Sequence, residues 1–230
     1  MTRKIWLISM AILAICAMGW AEEFALKQVD LTAEQAMQTP GGQIINAQLL
    51  LAKPDEIKKA PNTKSQYPLY GLLPVDAKTR LGFLVDESKG SGKGYDTLIV
   101  DLNANGDLTD DPAGEVAQRQ GEAGQPMEQA IFGPIVAPEK MKRGAWTPAI
   151  AAQLYVYNRD AIRQGGRQYF GYLGIRPACY LEATIEANGM KETIGIVDGS
   201  CNMALGDEAT FQVNQRGSDV YWALPHADAV

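Results

Sequence analysis

Four carboxylates and two carboxamides are concentrated in one short segment, Asp101 to Asp111, which reads DLNANGDLTDD. Calcium is a hard cation that takes about six to eight oxygen ligands. A short loop can supply them when oxygen-bearing side chains recur at every second residue and a glycine allows a sharp turn. Asp101, Asn103 and Asn105 alternate in this way, and Gly106 follows at the sixth position. The spacing therefore predicts a calcium-binding loop.

The remaining candidate ligands lie in the second half of this segment, which we call the first acidic loop. Asp107 at position seven offers a backbone carbonyl, and Thr109 at position nine offers a direct or water-bridged oxygen. In this arrangement the segment resembles an EF-hand loop and, more loosely, a dockerin loop. It departs from both at position twelve, where Pro112 replaces the bidentate acid. Asp110 or Asp111 must then close the ligand shell.

The alternative is an ordinary Asn-Gly turn surrounded by solvated acids. Its four carboxylates, within eleven residues, would repel each other without compensation. A bound divalent cation would remove that repulsion. The sequence favours the metal site for this reason.

A second, weaker copy of the pattern begins at Asp198. It retains an apolar residue at position eight but has Met203 in place of the glycine at position six. Fewer carboxylates remain, which favours a degenerate loop that no longer binds metal. Its candidate ligands are Asp198, Ser200, Asn202, Asp207 and Glu208.

The first 21 residues have the layout of a secretory signal peptide. Arg3 and Lys4 precede an apolar run of 14 residues, and small residues precede a cleavage point at Glu22. The run is shorter than the ~20 residues that a membrane helix needs. We therefore expect an exported protein, periplasmic or extracellular, with no membrane span after processing. An uncleaved anchor and a lipoprotein attached through Cys16 are the alternatives.

Charge and residue counts exclude several classes of function. The net charge of −6 argues against nucleic acid as a partner, because phosphates require clustered Lys and Arg. His226 is the single histidine, so a His-rich zinc site cannot be built. Cys179 and Cys201 remain after processing, and their spacing matches no short redox or zinc motif. A structural disulfide and two buried thiols both remain open.

Strand patterns dominate after residue 40 and predict a mainly β protein with little helix, an antiparallel sandwich or barrel-like fold. Strands are expected over Gln43–Leu51, Arg80–Asp86, Thr97–Val100, Cys179–Ala187 and Met190–Val197. A short helix is expected to begin with a capping box formed by Thr32 and Gln35. Each pair of strands is followed by an acidic loop, which fits an internal duplication and equally fits two unrelated hairpins. The expected parts are a signal peptide (1–21), an N-terminal β half (22–111), a linker or long loops (112–147) and a C-terminal β half (148–230).

The motif also carries a wider resemblance. Residues Val100 to Asp110, preceded by Gly94 to Asp96, match the pattern VDxNxNGDLTD. In this the chain resembles a group of secreted, uncharacterised bacterial β proteins. The resemblance implies export and metal binding but no reaction.

These patterns favour an exported, calcium-stabilised structural or binding module of the cell envelope or extracellular space, with an unknown protein or glycan partner. No reaction is identifiable, and the sequence favours a protein that is not an enzyme. The alternative is a secreted hydrolase or carbohydrate-binding protein. Its acids would come from Glu182 with Glu186 or from Asp86 with Glu87. Its candidate sugar-stacking residues are Tyr155, Tyr157, Tyr169, Tyr172 and Trp146.

Overall fold

The structure is a computed structural model. It describes residues 25–38, 44–75, 78–90, 94–120, 127–144, 146–157, 171–187, 190–203, 205 and 220–224. The expected signal peptide, residues 1–21, lies outside these residues.

The described residues form strands and one short helix, α1. Strands β4, β5, β10 and β11 have the bounds that the sequence predicts. The elements are β1 (Lys27–Asp30), α1 (Ala33–Gln38), β2 (Ile45–Gln48), β3 (Leu69–Pro74), β4 (Arg80–Asp86), β5 (Thr97–Val100), β6 (Ala113–Gln120), β7 (Met127–Val136), β8 (Ala149–Tyr157), β9 (Gly171–Pro177), β10 (Cys179–Ala187), β11 (Met190–Val197) and β12 (Val220–Leu224).

The fold is mainly β, as the sequence predicts. Eight antiparallel strands form one sheet in the order β2-β9-β8-β7-β6-β5-β4-β3, which is nearly closed into a barrel. Its two edges meet at Leu50 and Tyr70, whose backbone N–H and C=O groups exchange two hydrogen bonds of 2.8 Å. The other sheet has the order β1-β10-β11-β12. Near-closure leaves little unpaired strand edge on the larger sheet.

Alternation along the strands decides what fills the barrel. In β8, Ile150, Ala152, Leu154 and Val156 belong to the main core, while the residues between them face outward. This period of two is what a sheet with one buried face requires. The same core includes Leu102, Cys201 and Met203 from the two acidic loops.

The smaller sheet and α1 cover part of the outside of the barrel. A second core joins Ala149 and Ala151 on the outer face of β8 to Leu181 of β10 and Ala36 of α1. The helix begins with a capping box. The Thr32 N–H donates to Gln35 Oε1 at 2.9 Å, and the Gln35 N–H donates to Thr32 Oγ1 at 3.2 Å. The sequence predicts this capping box.

Residues 112–147 do not form the expected linker or long loops. They include β6 and β7, which lie side by side within the larger sheet. Their long-range pairing determines their structure, and the polar, Gly-rich composition of the segment does not show it. In the described part of the chain, no helix has the length and apolar character needed to span a membrane.

Candidate metal centre

The first acidic loop leaves the barrel directly after β5. The Asp101 N–H donates to the Gly82 carbonyl at 2.8 Å, so the loop starts in register with β4. Leu102 and Leu108 are buried and anchor its two halves. Lys59 clamps it from a neighbouring segment: its N–H donates to Gly106 O, and its carbonyl accepts the Leu108 N–H, both at 3.0 Å.

Asp101 organises the first turn of the loop. Its Oδ1 accepts the Asn105 N–H at 3.0 Å, and its Oδ2 accepts the Gly106 N–H at 2.7 Å. The residue is only 3% exposed. Each carboxylate oxygen has further lone pairs, so these two bonds leave acceptor capacity for a cation.

The side chains at positions three, five and ten converge. Asn103 Oδ1 accepts the Asn105 N–H at 3.2 Å, and Asn105 Oδ1 accepts the Asp107 N–H at 2.6 Å. The amide nitrogens of both asparagines donate to the Asp110 carboxylate, at 3.3 and 3.2 Å. The structure therefore brings Asp110, one of the two acids predicted to close the shell, against both asparagine side chains.

Two lysines neutralise part of the loop, so the expectation of four uncompensated carboxylates was wrong. Lys59 Nζ lies 2.9 Å from Asp107 Oδ2, and Lys140 Nζ lies 2.7 Å from Asp110 Oδ2. These hydrogen bonds lower the pKa of both acids, that of Asp107 to about 2 with Thr109 as the largest cause. Sequence reasoning missed both lysines because they lie 48 and 30 residues from their partners. No local pattern signals such pairs.

The remaining two acids, Asp101 and Asp111, form no ion pair with any described residue within 4 Å. Asp111 is half-buried; its Oδ1 accepts the Leu102 N–H at 3.2 Å, and its buried Oδ2 has no hydrogen-bond partner. Burial, and then the nearby Asp101 carboxylate, raise the pKa of Asp111 to about 7. A buried, unpartnered carboxylate oxygen beside a second buried carboxylate is a position that a cation would stabilise.

The donor set is all oxygen, as calcium and not zinc requires. In the described residues, no three Asp, Glu, Cys or His side chains come together as a metal-binding group. Two of the predicted ligands are asparagines, and asparagine is not one of those four residue types. Thr109 is held by Lys59, whose Nζ donates to its hydroxyl at 3.2 Å. The oxygen-bearing side chains that the described residues bring near one another are those of Asp101, Asn103, Asn105, Asp110 and Asp111.

The second acidic loop, Asp198 to Met203, repeats the hydrogen bonds of the first. Asp198 Oδ1 accepts the Asn202 N–H at 3.3 Å, and its Oδ2 accepts the Met203 N–H at 2.8 Å. The positive φ angles also coincide: Ala104 and Cys201 have φ of 55° and 54° at position four, and Gly106 and Met203 have 82° and 62° at position six. The two loops thus share one backbone form.

The ligand positions of the second loop are used differently. The Ser200 hydroxyl is fully buried and donates to Asp198 Oδ1 at 2.9 Å. Cys201 and Met203 pack into the core of the barrel. The residues at the equivalent positions of the first loop are Ala104 and Gly106. Asp207 and Glu208, the other predicted ligands, lie outside the described residues.

Three of the four acids considered for hydrolysis have local partners, and the side chain of the fourth, Glu186, lies outside the described part of the chain. Asp86 accepts the N–H groups of Lys64 and Ser65, each at 2.8 Å, and Glu87 accepts the Ser65 hydroxyl at 2.9 Å. Glu182 lies 3.9 Å from Lys27 on the smaller sheet. Each of these three carboxylates thus has a local partner that accounts for its position.

Only some of the candidate stacking residues lie together on the surface. Tyr155, Tyr157 and Tyr172 form one cluster, and the rings of Tyr155 and Tyr172 stack with centroids 4.5 Å apart. Trp146 was wrongly included, because it is 4% exposed and belongs to the core beneath the smaller sheet. Tyr169 lies outside the described residues.

Cys179 and Cys201 are free, buried thiols. Burial raises the pKa of Cys179 to about 11, and burial also raises the pKa of Cys201. Cys179 Sγ lies 3.5 Å from the Thr147 carbonyl, to which it donates a weak hydrogen bond. Such thiols carry little thiolate at neutral pH and are poor nucleophiles and metal ligands.

Comparison of the chain with protein-family models, with curated proteins and with solved structures finds no match.

Proposed function

We propose that the protein is an exported, calcium-stabilised structural or binding module of the cell envelope or extracellular space. The first acidic loop is its metal site. The observation that carries the proposal is the pair Asp101 and Asp111, two acids without a counter-ion among the described residues, one of which has a buried oxygen without a partner. Export rests on the signal-like pattern of residues 1–21 alone.

The metal would act on stability. Without it, folding brings the Asp111 carboxylate out of water beside Asp101, which raises the pKa of Asp111 and disfavours the charged form. Extracellular calcium sites have dissociation constants of about 10⁻⁴–10⁻³ M. Calcium at one hundred times its dissociation constant would stabilise the fold by about 2.7 kcal/mol.

The test compares two variants that each lose two backbone hydrogen bonds of a loop. Asp101→Ala and Asp198→Ala each remove a carboxylate that accepts two loop N–H groups. Both are expected to lower the melting temperature in EDTA. Calcium should raise the melting temperature of the wild type and of Asp198→Ala but not that of Asp101→Ala. An EDTA-insensitive wild-type melt, with no heat of calcium binding in titration calorimetry, would contradict the proposal.

A second candidate function is glycan binding without hydrolysis. Stacked tyrosines on the outer face of the barrel favour it, whereas the partners of Asp86, Glu87 and Glu182 give no support to a hydrolase. Hydrolysis of a glycosidic bond requires two facing carboxyl groups about 5–9.5 Å apart on either side of the substrate. A reducing-sugar assay on neutral polysaccharides is expected to show no activity.

A further inference from the structure

A groove of about 410 Å³ lies on the outer face of β2, β9 and β8. Its volume falls within the range of small-molecule sites, about 300–1,000 Å³. These strands are separated from β5, which leads into the first acidic loop, by β7 and β6. The residues that give the groove its chemistry are Asn46, Gln48, Gln153, Tyr155, Tyr172 and Gly174.

Strand register places an aromatic wall along one side of the groove. Gln48 of β2 is opposite Tyr172 of β9, Tyr172 is opposite Tyr155 of β8, and Tyr155 is opposite Gln129 of β7. The two tyrosine rings are stacked, with an interplanar angle of 28°. Gln129 Nε2 donates to the Tyr155 hydroxyl at 3.1 Å and fixes that ring. The row thus has a flat aromatic centre with an amide at either end.

The next row across the same strands forms the floor. Gly174 of β9 lies between Asn46 of β2 and Gln153 of β8. A Cβ at Gly174 would come within 2.7 Å of both Asn46 Oδ1 and Ile44 Cγ2. The missing side chain lets Asn46 and Ile44 lie directly over the Gly174 backbone, beside the tyrosine wall.

The groove has a mostly apolar lining with carboxamide and phenol groups, and it carries no formal charge. Its lining residues include no carboxylate, ammonium or guanidinium group. Burial, with the neighbouring Tyr155 and Tyr157 phenols, raises the pKa of Tyr172 to about 12, so this hydroxyl stays protonated at neutral pH. Carboxamides each offer both donors and acceptors. Such a surface complements a neutral ligand that has an apolar face and a rim of hydroxyl groups.

We propose that this groove binds a neutral oligosaccharide. One pyranose ring packs its C–H face against the Tyr172 ring, whose other face stacks on Tyr155, and its hydroxyls exchange hydrogen bonds with Asn46, Gln48 and Gln153. Aromatic side chains suit this task because they combine a large apolar face with a polar tip. The proposal rests on the binding role in the proposed function, and it names the ligand. It needs no calcium, so the sugar site and the calcium site can fail separately.

The test titrates the full chain with cellohexaose, xylohexaose, maltohexaose and chitohexaose, with the acidic hexamer of galacturonic acid as the charged comparison. The wild type is expected to bind at least one neutral probe and to discriminate against the acidic one. Tyr172→Ala and Tyr155→Ala should each weaken that binding by about tenfold. Tyr172→Phe keeps the ring and should stay close to the wild type.

Tyr180→Ala is the matched control, because Tyr180 is a partly buried tyrosine on β10 of the other sheet. It should leave sugar binding unchanged, and melting curves should show that every variant is folded. Gln48→Ala tests the groove at an exposed residue. Absence of neutral-sugar binding at millimolar concentration, equal binding of the acidic hexamer, or binding that both tyrosine-to-alanine variants retain would overturn the proposal. Calcium binding that persists in those cases would leave the metal site standing.

Discussion

Asp101 and Asp198 occupy the same position in two loops with the same backbone form. Each accepts the N–H groups of the residues four and five positions ahead, and each loop has positive φ at positions four and six. Among the described residues, the first loop adds converging asparagines and a second, half-buried acid. The aspartate at position one therefore organises the turn in either loop, and the metal binding that we propose is a separate property of the first.

This equivalence predicts that both variants are less stable than the wild type in the absence of calcium. Asp101→Ala and Asp198→Ala each leave two loop N–H groups without their acceptor, which costs about 1–3 kcal/mol per group that stays buried. Urea unfolding in EDTA should show the larger loss for Asp198→Ala, because it also leaves the buried Ser200 hydroxyl without its acceptor. If only Asp198→Ala were destabilising, the carboxylate of Asp101 would serve the metal alone.

The charge on Asp111 predicts that calcium reverses the effect of Asp111→Asn on the melting temperature. Asp111→Asn removes a carboxylate that burial and Asp101 disfavour, so in EDTA at pH 8 it should raise the melting temperature. In calcium the same variant should lose the metal-dependent gain and melt below the wild type. Differential scanning calorimetry in the two buffers measures both effects. A variant that is less stable in both buffers would indicate that the Leu102 hydrogen bond outweighs the charge.

The same acid predicts a pH dependence in EDTA. Its pKa is about 7 in the folded protein against an ordinary 3.8, so between these values the folded state holds a proton that the unfolded chain has released. Stability should therefore fall as the pH rises through this interval. Asp111→Asn should show a shallower slope than the wild type in urea unfolding at a series of pH values. Parallel slopes would show that Asp111 is already ionised in the folded protein.

We expect Lys140 to compete with calcium for Asp110. Its ammonium lies 2.7 Å from the carboxylate, and Lys140→Met would free that carboxylate for the metal. Calcium affinity is expected to rise by up to about fivefold, because exposed pairs are weak. Lys142→Met is the matched control, since Lys142 pairs with Glu139 and not with the loop. Titration calorimetry that gives equal affinities for the two variants would exclude this competition.

Position 106 requires a glycine because of both its backbone angle and its surroundings. Its φ is 82°, and a Cβ there would lie 2.7 Å from the Glu56 carbonyl oxygen. Gly144 has φ of 62° with nothing within 4 Å of its Cβ position. Gly144→Ala should cost about 1–2 kcal/mol, and Gly106→Ala should cost about 1–3 kcal/mol more. Equal losses in urea unfolding would show that the contact with Glu56 relaxes without cost.

Local patterns predicted the parts of the fold that depend on local chemistry. The alternation in Cys179–Ala187 and the apolar run in Arg80–Asp86 gave correct strand bounds, and Thr32 with Gln35 gave the helix start. Strand β6 was missed because Ala113–Gln120 contains few β-branched or aromatic residues, and its pairing with β5 and β7 determines its structure.

The candidate sites also divide into features that local sequence predicts and features that depend on long-range contacts. The spacing of Asp101, Asn103 and Asn105 was visible in the sequence, and their convergence with Asp110 follows from it. The lysines that neutralise the loop were not visible, because folding alone brings Lys59 and Lys140 to it. The sequence suggested the tyrosines of the groove, but the groove also requires β2, which is remote in the chain from β8 and β9.

The buried thiols yield a prediction that separates the two arrangements that the sequence leaves open. In a Cys16→Ser variant, only Cys179 and Cys201 remain. Both are buried, and burial raises both pKa values, so Ellman's reagent should detect no thiol in the native protein. After denaturation without reductant it should detect both. A protein with no reactive thiol even when unfolded would contain a disulfide, and the side chains of Cys179 and Cys201 would then have to move together from their separate cores.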